Sequence, residues 1–208
     1  MTIKKKIALI NYGVGNLRSL KNCIDTLNFV NDIIDEPKKL SNYDTIILPG
    51  VGSFKNAMNK INLLGWSQEI LENVVNKKKN ILGICLGMQI LLTEGYEFGI
   101  TKGLNLISGK VDNLKKLGCD GLIPHIGWNE VFVKKENILF KDISNSSSFY
   151  FVNSYACKLE NESQELSYTN YGVNFTSSFN MENVYGTQFH PEKSSKAGKQ
   201  LLNNFLNA

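Results

Sequence analysis

Cysteine is scarce and scattered in this chain. Its four residues, Cys23, Cys85, Cys119 and Cys157, lie far apart and none forms a C-x-x-C pair. That spacing argues against a zinc site or a redox dithiol, so no metal and no organic cofactor is expected. A reducing compartment leaves all four as free thiols. Long apolar runs are missing as well. No stretch approaches the roughly 18 apolar residues of a membrane span. Met1-Thr2-Ile3-Lys4-Lys5-Lys6 leads into a strand rather than an apolar signal core. A cytoplasmic protein without membrane association is the expectation. Charge of one sign is also in short supply: 23 basic residues are mixed with 19 acidic ones, for a net charge of +4. The densest runs, Lys4–Lys6 and Lys77–Lys79, read as solvated edges. A nucleic-acid footprint needs a denser basic face, so no nucleic-acid partner is expected.

What the chain does have is the makeup of an ordinary globular protein, 208 residues with 42% apolar and 20% charged side chains. That length fits one fairly large domain over residues 1–208, able to bury a substantial core. The first half alternates strand and helix. Ile7–Ile10 is a buried-type strand, followed by the glycine-rich turn Asn11-Tyr12-Gly13-Val14-Gly15-Asn16. Leu17, Leu20, Ile24 and Leu27 then recur at helical spacing. Ile33-Ile34 and Thr45–Leu48 read as further strands. Ser53 is a candidate N-cap for a helix through about Ile61, and Trp66–Val75 is a further helix before the strand Asn80–Ile84. Such alternation implies a parallel sheet covered on both faces. Beyond Gly99, runs rich in Val, Phe, Tyr and Thr (Trp128–Val133, Ser148–Ser154, Val173–Phe179, Val184–Phe189) predict a strand-rich, partly antiparallel section. An amphipathic helix, Ala197–Leu206, closes the chain.

Only one cysteine has a chemical context. Gly83-Ile84-Cys85-Leu86-Gly87 sets it between glycines, after the apolar Asn80-Ile81-Leu82 and before the helix-like Met88–Leu92. This is the G-x-nucleophile-x-G pattern of a sharp strand-to-helix turn. It places the sulfur at the carboxyl end of the sheet, at a helix N-terminus where a thiolate is favoured. The Leu86 N–H stands ready for an oxyanion. On this segment alone, a buried structural cysteine remains an alternative. A hundred residues on, Gly186-Thr187-Gln188-Phe189-His190-Pro191-Glu192 carries one of only two histidines. Pro191 biases His190 to an extended backbone, in which His190 and Glu192 project the same way. A carboxylate beside an imidazole fixes its tautomer and stabilises its cation. Of the glycine-rich turns, Gly13–Arg18 lacks the third glycine of a dinucleotide fingerprint, and Pro49–Phe54 lacks the Gly-Lys-Ser/Thr of a P-loop. Gly50-Val51-Gly52 is better suited to close approach at the reacting centre, with the N–H groups of Val51 and Gly52 aimed at an oxyanion. A hydrolytic Cys85–His190–Glu192 site is the expectation.

These segments resemble class I glutamine amidotransferases. Asn11–Leu17, Pro124-His125-Ile126-Gly127-Trp128-Asn129 and Gly186–Ser194 narrow the resemblance to the glutaminase subunits of imidazole glycerol phosphate synthase, over about Ile7–Phe205. The resemblance implies a flavodoxin-like α/β fold, with a largely parallel central sheet, helices on both faces and a strand-rich C-terminal half. It implies Cys85 as nucleophile, His190 as general acid/base and Glu192 as its orienting partner. It implies Gln89, Glu97 and Ser154 as holders of the substrate L-glutamine, although from chemistry alone Gln89 and Glu97 read equally as polar residues on a helix or loop. It also implies a heterodimer with a (β/α)₈-barrel synthase subunit. Asn11, Asn16, Trp128 and Lys193 would lie on the docking face, and ammonia would cross it into histidine biosynthesis. One position departs from the family. Where Phe-Val-His-Ser-Tyr is usual, this chain reads Phe151-Val152-Asn153-Ser154-Tyr155. That leaves open a paralogue feeding ammonia to a sugar amidotransferase for bacterial surface sugars. A catalytically silent docking subunit is the remaining alternative.

Overall fold

The computed structural model describes residues 5–208. In chain order its first half runs β1 (Lys6–Ile10), α1 (Leu17–Asp25), β2 (Val30–Ile34), β3 (Thr45–Leu48), α2 (Phe54–Leu63), α3 (Trp66–Leu71), β4 (Asn80–Ile84) and α4 (Leu86–Ile90). The second half runs β5 (Leu92–Gly95), β6 (Thr101–Lys102), β7 (Ile107–Asn113), β8 (His125–Val133), β9 (Ser147–Asn153), β10 (Tyr155–Leu159), β11 (Glu165–Asn170), β12 (Asn174–Met181) and β13 (Val184–Thr187), closed by α5 (Ser195–Asn207). The strands lie in the order β2-β1-β3-β4-β13-β12-β10-β7-β5-β6. From β2 to β13 every neighbour is parallel. Past β13 the pairings of β12, β10 and β7 are antiparallel. Strands β11, β8 and β9 form an antiparallel extension that reaches the main sheet through β12.

The apolar runs of β1, β3 and β4 are continuous rather than alternating because both faces of the sheet are covered. Ala8, Ile10, Ile46, Leu48 and Ile81 pack with Phe54, Met58 and Ile61 of α2, Trp66 and Ile70 of α3, and Met88 and Ile90 of α4. Their sequence neighbours Ile7, Leu9, Ile47, Leu82 and Ile84 face the other way, against Leu20 and Ile24 of α1 and Leu201, Leu202 and Phe205 of α5. Each such side chain taken fully out of water contributes about 1.5–3 kcal/mol, which is what holds the helices against the sheet.

Several local expectations need correction. The run Met88–Leu92 is not one helix: α4 begins at Leu86 and ends at Ile90, and Leu92 opens β5. The helix from Trp66 keeps α geometry only to Leu71 and widens into a π turn over Glu72–Asn76. Ser53 does stand at the N-cap of α2, but its side chain makes no capping bond. The Glu97 carboxylate takes that role from a distant loop, its Oε2 accepting from the Phe54 N–H at 2.7 Å. Cys157 lies inside β10, buried in the core, rather than at a strand end. Strands β7 and β11 were not legible as runs of β-formers, because polar residues such as Lys110, Asp112, Ser167 and Asn170 break their pattern.

Candidate active site

The register between β4 and β13 builds the site. Thr187 sits opposite Ile84 in these adjacent parallel strands, so the residues that follow each strand emerge side by side at the carboxyl edge. Cys85 leaves β4 with φ 55° and ψ −111°, a conformation that a non-glycine residue rarely adopts. Strain of this kind is of the order of 1–3 kcal/mol and persists only where the surroundings enforce it. Here they do. The Cys85 N–H is held by the Thr187 carbonyl at 2.7 Å. The flanking glycines are obligatory: a Cβ on Gly83 would meet the Gly87 carbonyl at 2.6 Å, and one on Gly87 would overlap the Leu48 carbonyl. The elbow thus threads between β3 and α4 where no side chain fits.

His190 follows β13 and is buried, and its Nδ1 lies 2.8 Å from Glu192 Oε1. The pairing does not come from extended alternation. His190 itself is extended, but Pro191–Lys193 is a 3₁₀ turn, and that turn folds Glu192 back onto the imidazole. Ser194 clamps the segment, its Oγ donating to the His190 carbonyl at 2.6 Å and accepting from the Tyr150 N–H at 3.0 Å. With Nδ1 committed to Glu192, Nε2 is the ring atom left for Cys85, and it makes no hydrogen bond within normal geometry. The attraction between ring and sulfur is therefore chiefly electrostatic. Burial pushes the His190 pKa down, but its interactions with the Cys85 sulfur and the Glu192 carboxylate outweigh it and hold His190 at about 10. The other histidine, His125, behaves oppositely. Stacked on Phe151 and Tyr171, it is desolvated and pushed down to about 4.

The two imidazoles should therefore titrate far apart. In NMR spectra of histidine-labelled protein near pH 8, His190 should still be a cation while His125 is neutral. Replacing Cys85 by alanine should lower the His190 midpoint, because interaction with the sulfur raises it. A His190 midpoint near the ordinary value of about 6.5 in the unmodified chain would contradict this electrostatic picture.

A cavity of about 440 Å³ opens beside Cys85, lined by Val51, Gly52, Leu86, Gln89, Glu97, Ser154 and others. Its size suits a small ligand. The structure thus brings the expected nucleophile, oxyanion and substrate residues around one hollow. Gln89 is more committed than its sequence context suggests, since its Nε2 donates to the Tyr155 carbonyl at 2.9 Å and to Gln188 Oε1 at 3.0 Å. Lys193 lines the same cavity and lies 5.4 Å over the Tyr150 ring, which in turn packs edge-on to Trp128. Trp128 is 53% exposed, so the group presents an apolar and cationic surface at the cavity mouth. Asn11 and Asn16 sit in the turn after β1. Asn16 caps α1 through the Ser19 N–H, and Asn11 Oδ1 accepts from the Gly13 N–H. Neither contacts Trp128 or Lys193 in the structure's hydrogen-bond pattern, but their turn packs on Pro49. Asn153 is buried, with Nδ2 donating to the Tyr155 carbonyl and Oδ1 unpartnered. Sequence reasoning passed over Gln188 and Ser194. An amide between Thr187 and Phe189, two residues before His190, was the available signal for Gln188.

A thiol held on a strained elbow next to a buried imidazole–carboxylate pair is suited to nucleophilic cysteine chemistry. The chain belongs to the class I glutamine amidotransferase family, whose model matches residues 8–208. Within it, the chain is 43% identical to imidazole glycerol phosphate synthase subunit HisH 1 of Campylobacter jejuni, covering 96% of this chain and 98% of that one. Against subunit HisH of Leptospira borgpetersenii the identity is again 43%, with the same coverage. Among solved structures, PurLQS from Thermotoga maritima superposes with a TM-score of 0.76 at 19% identity, covering 99% of both chains, which bears on the fold alone. The protein is a glutamine amidotransferase of the α/β fold that this family shares.

Proposed function

We propose that this chain is the glutaminase subunit of an imidazole glycerol phosphate synthase. The placing of Cys85 on the cavity wall, with the buried His190–Glu192 pair following the adjacent strand β13, carries the reading, supported by the HisH relatives at 40–43% identity. The Cys85 sulfur attacks the side-chain amide carbon of glutamine. The Leu86 N–H and those of Val51 and Gly52 receive the oxyanion, His190 protonates the departing ammonia, and Glu192 holds the ring by Nδ1. Water, activated by the now neutral His190, hydrolyses the thioester to glutamate. Gln89 and Ser154 line the substrate's path. Glu97, with Oε2 on the Phe54 N–H, has Oε1 to meet the substrate's ammonium. Ammonia passes to a separate (β/α)₈-barrel synthase subunit, yielding imidazole glycerol phosphate and aminoimidazole carboxamide ribotide. The barrel docks over Trp128, Lys193 and the Asn11–Asn16 turn.

Asn153 favours a second reading, in which the same chemistry feeds the amidation of surface sugars. It puts an uncharged amide where the family usually carries an imidazole. Cys85 on its strained elbow and the buried His190–Glu192 pair count against the silent-subunit reading. Deletion of the gene separates the first two. Histidine auxotrophy, relieved by the wild-type chain, is the expected result; altered surface glycans with unimpaired growth on minimal medium would overturn the histidine assignment.

A further inference from the structure

We propose that Gln188 is a further catalytic residue, whose side-chain amide donates a hydrogen bond to the Cys85 sulfur and stabilises it whenever it is negative. This rests on the reading of Cys85 as nucleophile. Gln188 is fully buried, at the β13 exit directly beside the elbow. Its backbone N–H donates to the Ser177 carbonyl at 2.8 Å, which fixes the Cα. Its Nε2 lies 3.6 Å from Cys85 Sγ, a hydrogen-bond distance for sulfur.

Which end of the amide faces the sulfur is set by its neighbours. The Tyr155 carbonyl can only accept, so Gln89 must present Nε2 to it. The same Nε2 has a second hydrogen, which points at Gln188 from 3.0 Å and demands an oxygen there. Gln188 therefore accepts through Oε1 and turns its NH₂ to the sulfur. A relay of three bonds, from the Tyr155 carbonyl through Gln89 and Gln188, ends on the reacting atom.

The choice of an amide has a chemical consequence. The sulfur is negative twice in the cycle, before attack and again when the thioester breaks. His190 must move its proton to ammonia and then take one from water, so its charge at the sulfur comes and goes. The Gln188 amide is a donor whose N–H is far too weak an acid to give up its proton in this reaction. It supports both sulfur anions without competing for the proton that His190 carries. Gln188 does not line the cavity, whereas Gln89 does. Loss of the Gln188 amide should therefore affect turnover and leave substrate affinity nearly alone.

Gln188→Leu and Gln188→Met remove the donor at similar volume, and both should be assayed in complex with the barrel subunit. A hydrogen bond to a charged group justifies an expected drop in kcat of about tenfold or more, with KM for glutamine changed less than about twofold. In the isolated chain, the pH at which iodoacetamide alkylates Cys85 at half its maximal rate, read by mass spectrometry on the Cys85 peptide, should rise by about one unit. Ammonia-driven synthesis by the same complexes should stay at the wild-type level, which guards against a folding defect. If the leucine variant does not fold, the methionine variant, whose flexible side chain fits irregular space, carries the test. Wild-type kcat with an unmoved alkylation profile in either folded variant would overturn the role of Gln188. Glutamine hydrolysis surviving in Cys85→Ala would instead overturn the underlying reading, so the two failures are distinguishable.

Discussion

Mixing the isolated chain with the proposed barrel partner and that partner's nucleotide substrate should raise kcat for glutamine hydrolysis about a hundredfold or more, with little change in KM. The reason lies in Pro49-Gly50-Val51-Gly52. One end of this segment is fixed. Pro49 and Gly50 are buried, and a Cβ on Gly50 would stand 2.5 Å from the Tyr12 hydroxyl and 3.0 Å from the Gly87 nitrogen. The other end is loose. Val51 is 42% exposed, and Gly52 has φ +101° with no atom near the space a side chain would fill. Glycine turns through such conformations without steric penalty. The peptide between Val51 and Gly52 can therefore swing its N–H toward or away from an oxyanion on the Cys85 side of the cavity. One oxyanion donor contributes about 3 kcal/mol to the barrier, which is roughly two powers of ten in rate. Because the bond forms fully only to the tetrahedral intermediate, the gain appears in kcat. Lys193 and Trp128 on the facing lip would receive the partner, so Lys193→Ala should weaken assembly or uncouple hydrolysis from product formation. Steady-state assays with and without the partner check this, and a full glutaminase rate in the isolated chain would refute it.

Much of this was readable from residue order, for physical reasons. The parallel half is legible because two-sided burial makes β1, β3 and β4 plain apolar runs. The elbow is legible because its glycines are dictated by sterics that no other residue satisfies. Cys85 and His190 stood out as candidates because each lies in a short segment with its own local logic. What could not be read depends on register and long-range contact. That Gln188 reaches the sulfur follows from Thr187 lying opposite Ile84, a pairing across a hundred residues of chain. That Glu97 caps α2 required a loop 43 residues away to return to that helix. Strands β7 and β11 contain few β-branched or aromatic residues, so they do not stand out as runs of strand formers. The 3₁₀ turn at Pro191 reached the expected His190–Glu192 contact by a route that alternation did not foresee.

The largest single effect belongs to the sulfur itself. Without it there is no thioester, and neither His190 nor the oxyanion donors have an intermediate to act on. In triads whose members work as a unit, loss of the nucleophile lowers kcat by a factor on the order of 10⁶. Alanine at position 85 removes only the sulfur from a site packed by backbone and glycine, and leaves the exposed surface around Trp128 untouched. The direct measurement is glutamine-driven and ammonia-driven synthesis, side by side, in the Cys85→Ala chain complexed with the proposed barrel partner. The expected result is no detectable glutamine hydrolysis and ammonia-driven turnover equal to wild type; glutamine hydrolysis persisting in that complex would contradict Cys85 as the nucleophile and the function built upon it.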